Sequence, residues 1–147
     1  MGIFSSMDIA GTGLSAQRVR MDVISNNIAN ANTTRTPDGN AFRRSMAILR
    51  PRNDERVYRS PLLPESLQTP GCSGVKVVEI KEDTAPLRMV YDPSHPDADE
   101  NGYVTYPNVS TITEMTNLID ASRAYEANVT AFDAAKTMAL KGLEINK

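Results

Sequence analysis

The 147 residues predict an α+β chain, mainly α, whose two long terminal helices pair antiparallel as a coiled coil around an extended, β-hairpin-containing middle. Three observations carry this reading. Apolar residues recur at helical spacing over both ends, all nine prolines fall between Pro37 and Pro107, and the middle alternates short β-type runs with turn formers. The implied boundaries are 1–32 for the first helix, 33–108 for the middle and 109–147 for the last helix.

In the first segment Ile3, Met7, Ala10, Leu14, Gln17, Met21, Ile24 and Ile28 step by three and four, which places them along one side of a helix. Only Gln17 is polar. Gly11 and Gly13 each weaken that helix by about 1 kcal/mol relative to Ala, so its first turns need packing to be ordered. Asn26, Asn27, Asn30 and Asn32 crowd its end, where Asn tolerates left-handed backbone, and Thr33 and Thr34 lead on to Pro37.

Within the middle, Phe42 to Leu49 is compatible with a strand. Val75 to Lys81 is rich in Val and Ile, and Leu87, Met89 and Tyr91 alternate, so these two read as strands joined by a hairpin loop over 82–86. Residues 50–74 carry Pro51, Pro61, Pro64, Pro70, Gly71 and Gly74 with little periodicity. A loop of that length inside a compact domain points to contacts between chains.

The last helix opens on Thr111 to Glu114, a Thr-x-x-Glu capping box. Its stripe is Met115, Leu118, Ser122, Tyr125, Val129, Phe132, Lys136, Ala139 and Leu143. Exposed stripes of this length are untenable in water, so each helix must lie against the other or against another molecule. Leu14, Met21, Ile24 and Ile28, with Met115, Leu118, Tyr125, Val129, Phe132 and Leu143, are therefore the candidate contacts between helices and between subunits.

Composition narrows the function. Aromatics are 5% of residues, with no Trp, so a self-contained core is thin. A net charge of −2 argues against a dedicated nucleic-acid binder. A single cysteine, Cys72, excludes an internal disulfide framework. Met1 to Ser6 has no basic n-region, so a cleaved Sec-type signal is not expected, and no stretch reaches membrane-spanning apolar length.

No catalytic, metal or cofactor site is expected. Asp97 to Gly102 matches the opening of a calcium loop, but Asn108 stands where a bidentate Glu is needed, so the segment reads as a solvated turn. Cys72 and His95, the only His, both sit in turn contexts. The basic stretch Arg43, Arg44, Arg50, Arg52, Arg56 and Arg59 has only Phe42 and Tyr58 as aromatic neighbours, which favours a solvated or interchain surface over a single-strand groove. Asp92, Asp97, Asp99 and Glu100 offer compensating charge on a neighbouring copy.

Periodicity alone leaves open whether the stripes form a small helical bundle or an assembling pair. The helix exits supply more. Leu14 through Asn30, with Asn26, Asn27, Ala29 and Asn30 at its end and Thr33 beyond, closely resembles the N-terminal signature of bacterial flagellar rod and hook proteins. Glu114 and Met115 through Asn128 resemble the C-terminal one. Between them, Thr34 to Pro37 with Arg43 and Arg44, then Asp92, Pro93, His95, Pro96 and Asp97 through Gly102, Tyr103 and Asn108, are similar to the proximal-rod protein C branch of the flagellar basal-body rod family. Asn40 to Phe42 and Ser110-Thr111 depart from the usual pattern locally.

The resemblance implies a structural, non-enzymatic subunit of the proximal rod, located in the periplasm and exported by the flagellar type III apparatus without a cleaved signal. Its partners would be other copies of itself, other rod proteins and the basal-body base, without nucleic acid or membrane insertion. The helices would form the inner axial core and the middle would face outward. A cytosolic helical adaptor or export chaperone is the competing reading, since the same stripes could hold a partner's helix. In a lone chain the terminal helices are expected to be partly disordered.

Overall fold

A computed structural model describes residues 3–52 and 74–144. The chain runs α1 (Ile3–Ala29), β1 (Ser45–Pro51), β2 (Val75–Glu82), β3 (Arg88–Tyr91), β4 (Tyr103–Tyr106) and α2 (Thr111–Glu144). It is α+β, with two helices and two small antiparallel sheets. Cys72, Tyr58, Arg56, Arg59 and most of segment 50–74 lie outside the described residues.

The helices lie side by side and antiparallel. Asn27 donates to Glu114, 14 residues further back along α1 Gly13 lies against Asn128, and the pairing therefore advances residue for residue. Ala10 and Ala16 of α1 and Ala121 and Ala135 of α2 are buried, and the helices come close at a residue with no side chain, Gly13. A Cβ built on Gly13 would stand 2.7 Å from Asn128 Oδ1.

The helix exit works differently from the expectation. No described non-glycine residue has positive φ, so none of the exit asparagines adopts left-handed backbone. Their side chains act instead: Asn30 Nδ2 donates to Asn26 O (2.9 Å) and Asn26 Oδ1 (3.0 Å), and Thr33 Oγ1 donates to Asn30 Oδ1 (3.2 Å). The Asn30 amide thus adds to the backbone bond that Asn30 N already makes to Asn26 O (3.1 Å), fixing the last turn from both main chain and side chain.

The strand pairing corrects the predicted hairpin over 82–86. β2 pairs with β1, from Ser45 opposite Glu82 to Pro51 opposite Val75, with a register shift between Ile48 and Leu49. The physical reason lies at Asp83. Its N–H donates to Arg44 O (2.7 Å), extending the β1–β2 ribbon, while its Oδ1 accepts from Ala85 N (2.9 Å), an Asx turn that sends the chain away before Pro86. β3 then pairs with β4, which the sequence reading did not propose as a strand. The first strand starts at Ser45 rather than Phe42, whose N–H is taken by Thr33 O (3.2 Å).

The ribbon packs against α1. Its tip is held where Val75 N donates to Thr12 Oγ1 (3.2 Å), beside Gly74 at φ +92°. The β3–β4 hairpin closes over Val104, which is fully buried, with Tyr91 and Tyr103 edge-to-face at 5.3 Å. Asp97 to Gly102 is the hairpin's turn, with Gly102 at φ +77° and its N–H bonded to Asp99 O (2.8 Å).

Thr111 is the first helical residue of α2, so Ser110 flanks the helix, and Glu114 N bonds to Ser110 O (2.9 Å). The predicted capping box does not form. The Glu114 side chain turns inward to the contacts described next.

Candidate assembly interface

Beneath the helix pair sits a buried polar knot built from four separate stretches of chain. Glu114 and Asn27 have no exposed surface. Glu114 Oε2 accepts from Asn27 Nδ2 (2.9 Å), and Oε1 accepts from Arg44 Nε (2.9 Å) and Nη2 (2.8 Å). A carboxylate removed from water needs this degree of compensation.

Asn27 also serves the ribbon. Its Oδ1 accepts from Ser45 N (2.9 Å) and its Nδ2 donates to Ser45 O (2.8 Å), so one side-chain amide satisfies both main-chain groups at the start of β1. Arg44 reaches Asp83 Oδ2 with Nη1 (3.4 Å). Asn108 completes the joint: its Oδ1 accepts from Arg44 N (2.9 Å), and its Nδ2 donates to Asp83 O (3.4 Å) and Ala85 O (3.3 Å).

A second tie links the α1 exit to the hairpin turn. Thr34 Oγ1 donates to Asp97 Oδ2 (2.8 Å), Arg35 approaches Asp97 Oδ1 at 3.8 Å, and Asp97 N donates to His95 Nδ1 (3.1 Å). Asp92 accepts from Ser94 Oγ (2.6 Å) and Ser94 N (3.1 Å), which holds its carboxyl below the ordinary carboxylate pKa. The interchain reading of the acidic and basic stretches is thus corrected for Asp97 and Arg44, whose opposite charges, Arg35 for the first and Glu114 and Asp83 for the second, come from the same chain.

Opposite the ribbon, the helix pair presents a different surface. Val23 is buried and borders the ribbon with Ala47, whereas Met21, two residues or roughly 200° of turn away, is half-buried. Leu14 and Ile28 share the Met21 line at seven-residue intervals and are also half-buried. On α2, Asn117 borders the ribbon side, and Met115 points the other way and is 54% exposed. Leu118, Tyr125 and Phe132 are half-buried, while Val129 and Leu143 are exposed, as are Ile112 and Ile119 beside them. Of the candidate contact residues only Ile24 is fully buried.

The two expected sets of residues therefore play separate parts. Asn27, Asn108 and Glu114 come together in the knot, and His95 and Asp97 in the second tie. Pro93 and Tyr103 frame the hairpin around Gly102, and Pro96 borders an open cleft of about 860 Å³ beside Asp97. Asn26 and Ala29 are exposed on α1. Arg44 was missed as the guanidinium shared between the buried Glu114 carboxylate and Asp83. Its place in a basic run pointed to the surface, and its place in the family pattern named no partner.

Comparison with known proteins identifies this arrangement. Residues 7–35 match the family described as flagella basal body rod protein, and residues 100–145 match that described as flagellar basal body rod FlgEFG protein C-terminal. The flagellar basal-body rod protein FlgC of Borreliella burgdorferi is 48% identical, covering 99% of this chain and 98% of the relative. The chain belongs to the flagellar basal-body rod protein family. The rod protein FlgC of Bacillus subtilis is 43% identical and that of Salmonella typhimurium 37%, each over the full length of both chains. As a rod protein the chain is a structural component of the flagellar basal body and not an enzyme. The two matched regions of this rod protein cover α1 from Met7 onward and all of α2, and with them Asn27, Asn108 and Glu114 of the knot.

Proposed function

We propose that this rod protein is a proximal-rod subunit that assembles with copies of itself and with other rod proteins into a helical tube, transmitting motor torque and letting export substrates pass. The observation that carries this reading is the apolar surface of the helix pair, half-buried at Leu14, Met21 and Ile28 and exposed at Met115, Val129 and Leu143. A surface of this kind is stable only when neighbouring molecules cover it. In the assembly residues 1–32 and 109–147 form the inner axial core, extended by neighbouring helices into coiled-coil packing, and residues 33–108 face outward.

The subunit travels by the flagellar type III route without a cleaved signal and takes its place in the periplasm, on the basal-body base. It binds no nucleic acid and inserts in no membrane. No described helix is long and apolar enough to cross one.

The test separates assembly from folding. Met115→Asp and Leu143→Asp alter residues 54% and 73% exposed, so the isolated chain keeps its melting temperature while rod assembly and swimming are lost. Basal-body preparations containing both variants at wild-type levels would refute the proposal, and a wild-type chain found only in the cytoplasm would favour an adaptor.

A further inference from the structure

The knot links three elements that also pack on one another, since α1 lies against both α2 and the β1–β2 ribbon. Glu114 belongs to α2, Asn27 to α1, and Arg44 and Ser45 to the base of the β1–β2 ribbon. We propose that the Glu114 carboxylate is a conditional lock, which seats the ribbon only when the two helices are paired with Asn27 beside Glu114.

Each oxygen of the carboxylate has a different source of donors. Oε2 takes the Asn27 amide from α1, and Oε1 takes the Arg44 guanidinium from the ribbon side, with Asn117 Nδ2 at 3.4 Å. At a site with no exposure, neither contact substitutes for the other: losing the Asn27 donor leaves one oxygen buried without a partner. The Asn27 amide is shared in turn. Its Nδ2 serves both Glu114 and Ser45 O, so displacement of Asn27 opens α2 and the ribbon in one event.

The ribbon's own anchoring points the same way. Its base is held at Ser45 by Asn27 and at Asp83 by Arg44 and Asn108. Near its tip, Val75 N donates to the Thr12 hydroxyl of α1 (3.2 Å). Separation of the helices takes Asn27 away from Glu114, returns the carboxylate to water and releases both strands at their base. The outward segment is thereby oriented by the pairing of the inner helices, a property of the single chain that does not depend on its place in the rod.

Hydrogen exchange on the full chain tests the lock. Asn27→Ala leaves Arg44 and Glu114 in place, yet amides of β1, β2 and the first two turns of α2 should all exchange roughly 10- to 100-fold faster, by the same factor, because they open together. Asn27→Ser, a smaller perturbation that retains a donor hydroxyl, should give an intermediate common factor and covers the case in which the alanine variant does not fold. The double variant Asn27→Ala/Arg44→Gln should lose less than the sum of its parts, since either change already opens the lock. Faster exchange confined to residues 44–46, with β2 and α2 unchanged, would overturn the proposal. So would additive single and double variants.

Discussion

Glu114→Ala is the sharpest test of what holds the helices to the middle of the chain. Deleting one partner of a fully buried ion pair costs about 3–5 kcal/mol. Here the remaining guanidinium keeps Asp83 at 3.4 Å and has 21% of its side chain in solvent, so the expected loss is roughly 2–4 kcal/mol. In a chain of this size that corresponds to a fall in Tm of roughly 5–12 °C. Thermal unfolding of the isolated chain followed by circular dichroism measures it. Met115→Ala provides the neighbouring control: at 54% exposure it should stay within about 0.5 kcal/mol of wild type. Equal losses for the two variants would refute the burial argument, because it makes residue 114 internal and residue 115 external on the same turn.

Two further outcomes follow from local geometry. A Cβ at Gly11 meets nothing within 4 Å, so Gly11→Ala should stabilise by about 0.4–1 kcal/mol in urea unfolding, whereas Gly74→Ala, at φ +92° and against Thr12, should destabilise by a similar or larger amount. Asp92 has its folded pKa lowered by the Ser94 hydroxyl and amide, so its contribution to the turn is present above the ordinary carboxylate pKa and disappears as pH falls through the lowered value. Titration of the Ser94 amide signal by NMR should show its midpoint below that of a free aspartate, and a midpoint at or above it would contradict the hydrogen bonds.

The helices were legible because their period is long and uninterrupted: Leu14, Met21 and Ile28 repeat by sevens, and Pro37 is the first proline. Which part of that apolar sector lies inside was not legible. Inside lie Ala10, Ala16, Ala121 and Ala135, small residues that carry little weight in a hydrophobic pattern, while the larger Met115 and Leu143 stay outside. A chain that must pack both on itself and on neighbours carries a sector wider than its own seam, and periodicity cannot divide the two. Strand positions could be read from Val75 to Ile80, but their pairing depended on an Asx turn at Asp83 and on contacts with α1. The knot was visible only as scattered signature residues, since Glu114 lies 87 positions from Asn27 and 70 from Arg44.

The residue-for-residue pairing of the helices has one more consequence. Asn27 beside Glu114 and Gly13 beside Asn128 set Ile3 opposite Met138, so α2 runs six residues beyond the start of α1, to Glu144. That is about 9 Å of helix that extends past the start of α1 among the described residues. At the knot the two helices end nearly level, so the pair is flush at one end and stepped at the other. The two ends of the pair are therefore not interchangeable: one offers two helix ends side by side and the other a single projecting helix, so a neighbour meets a different surface at each.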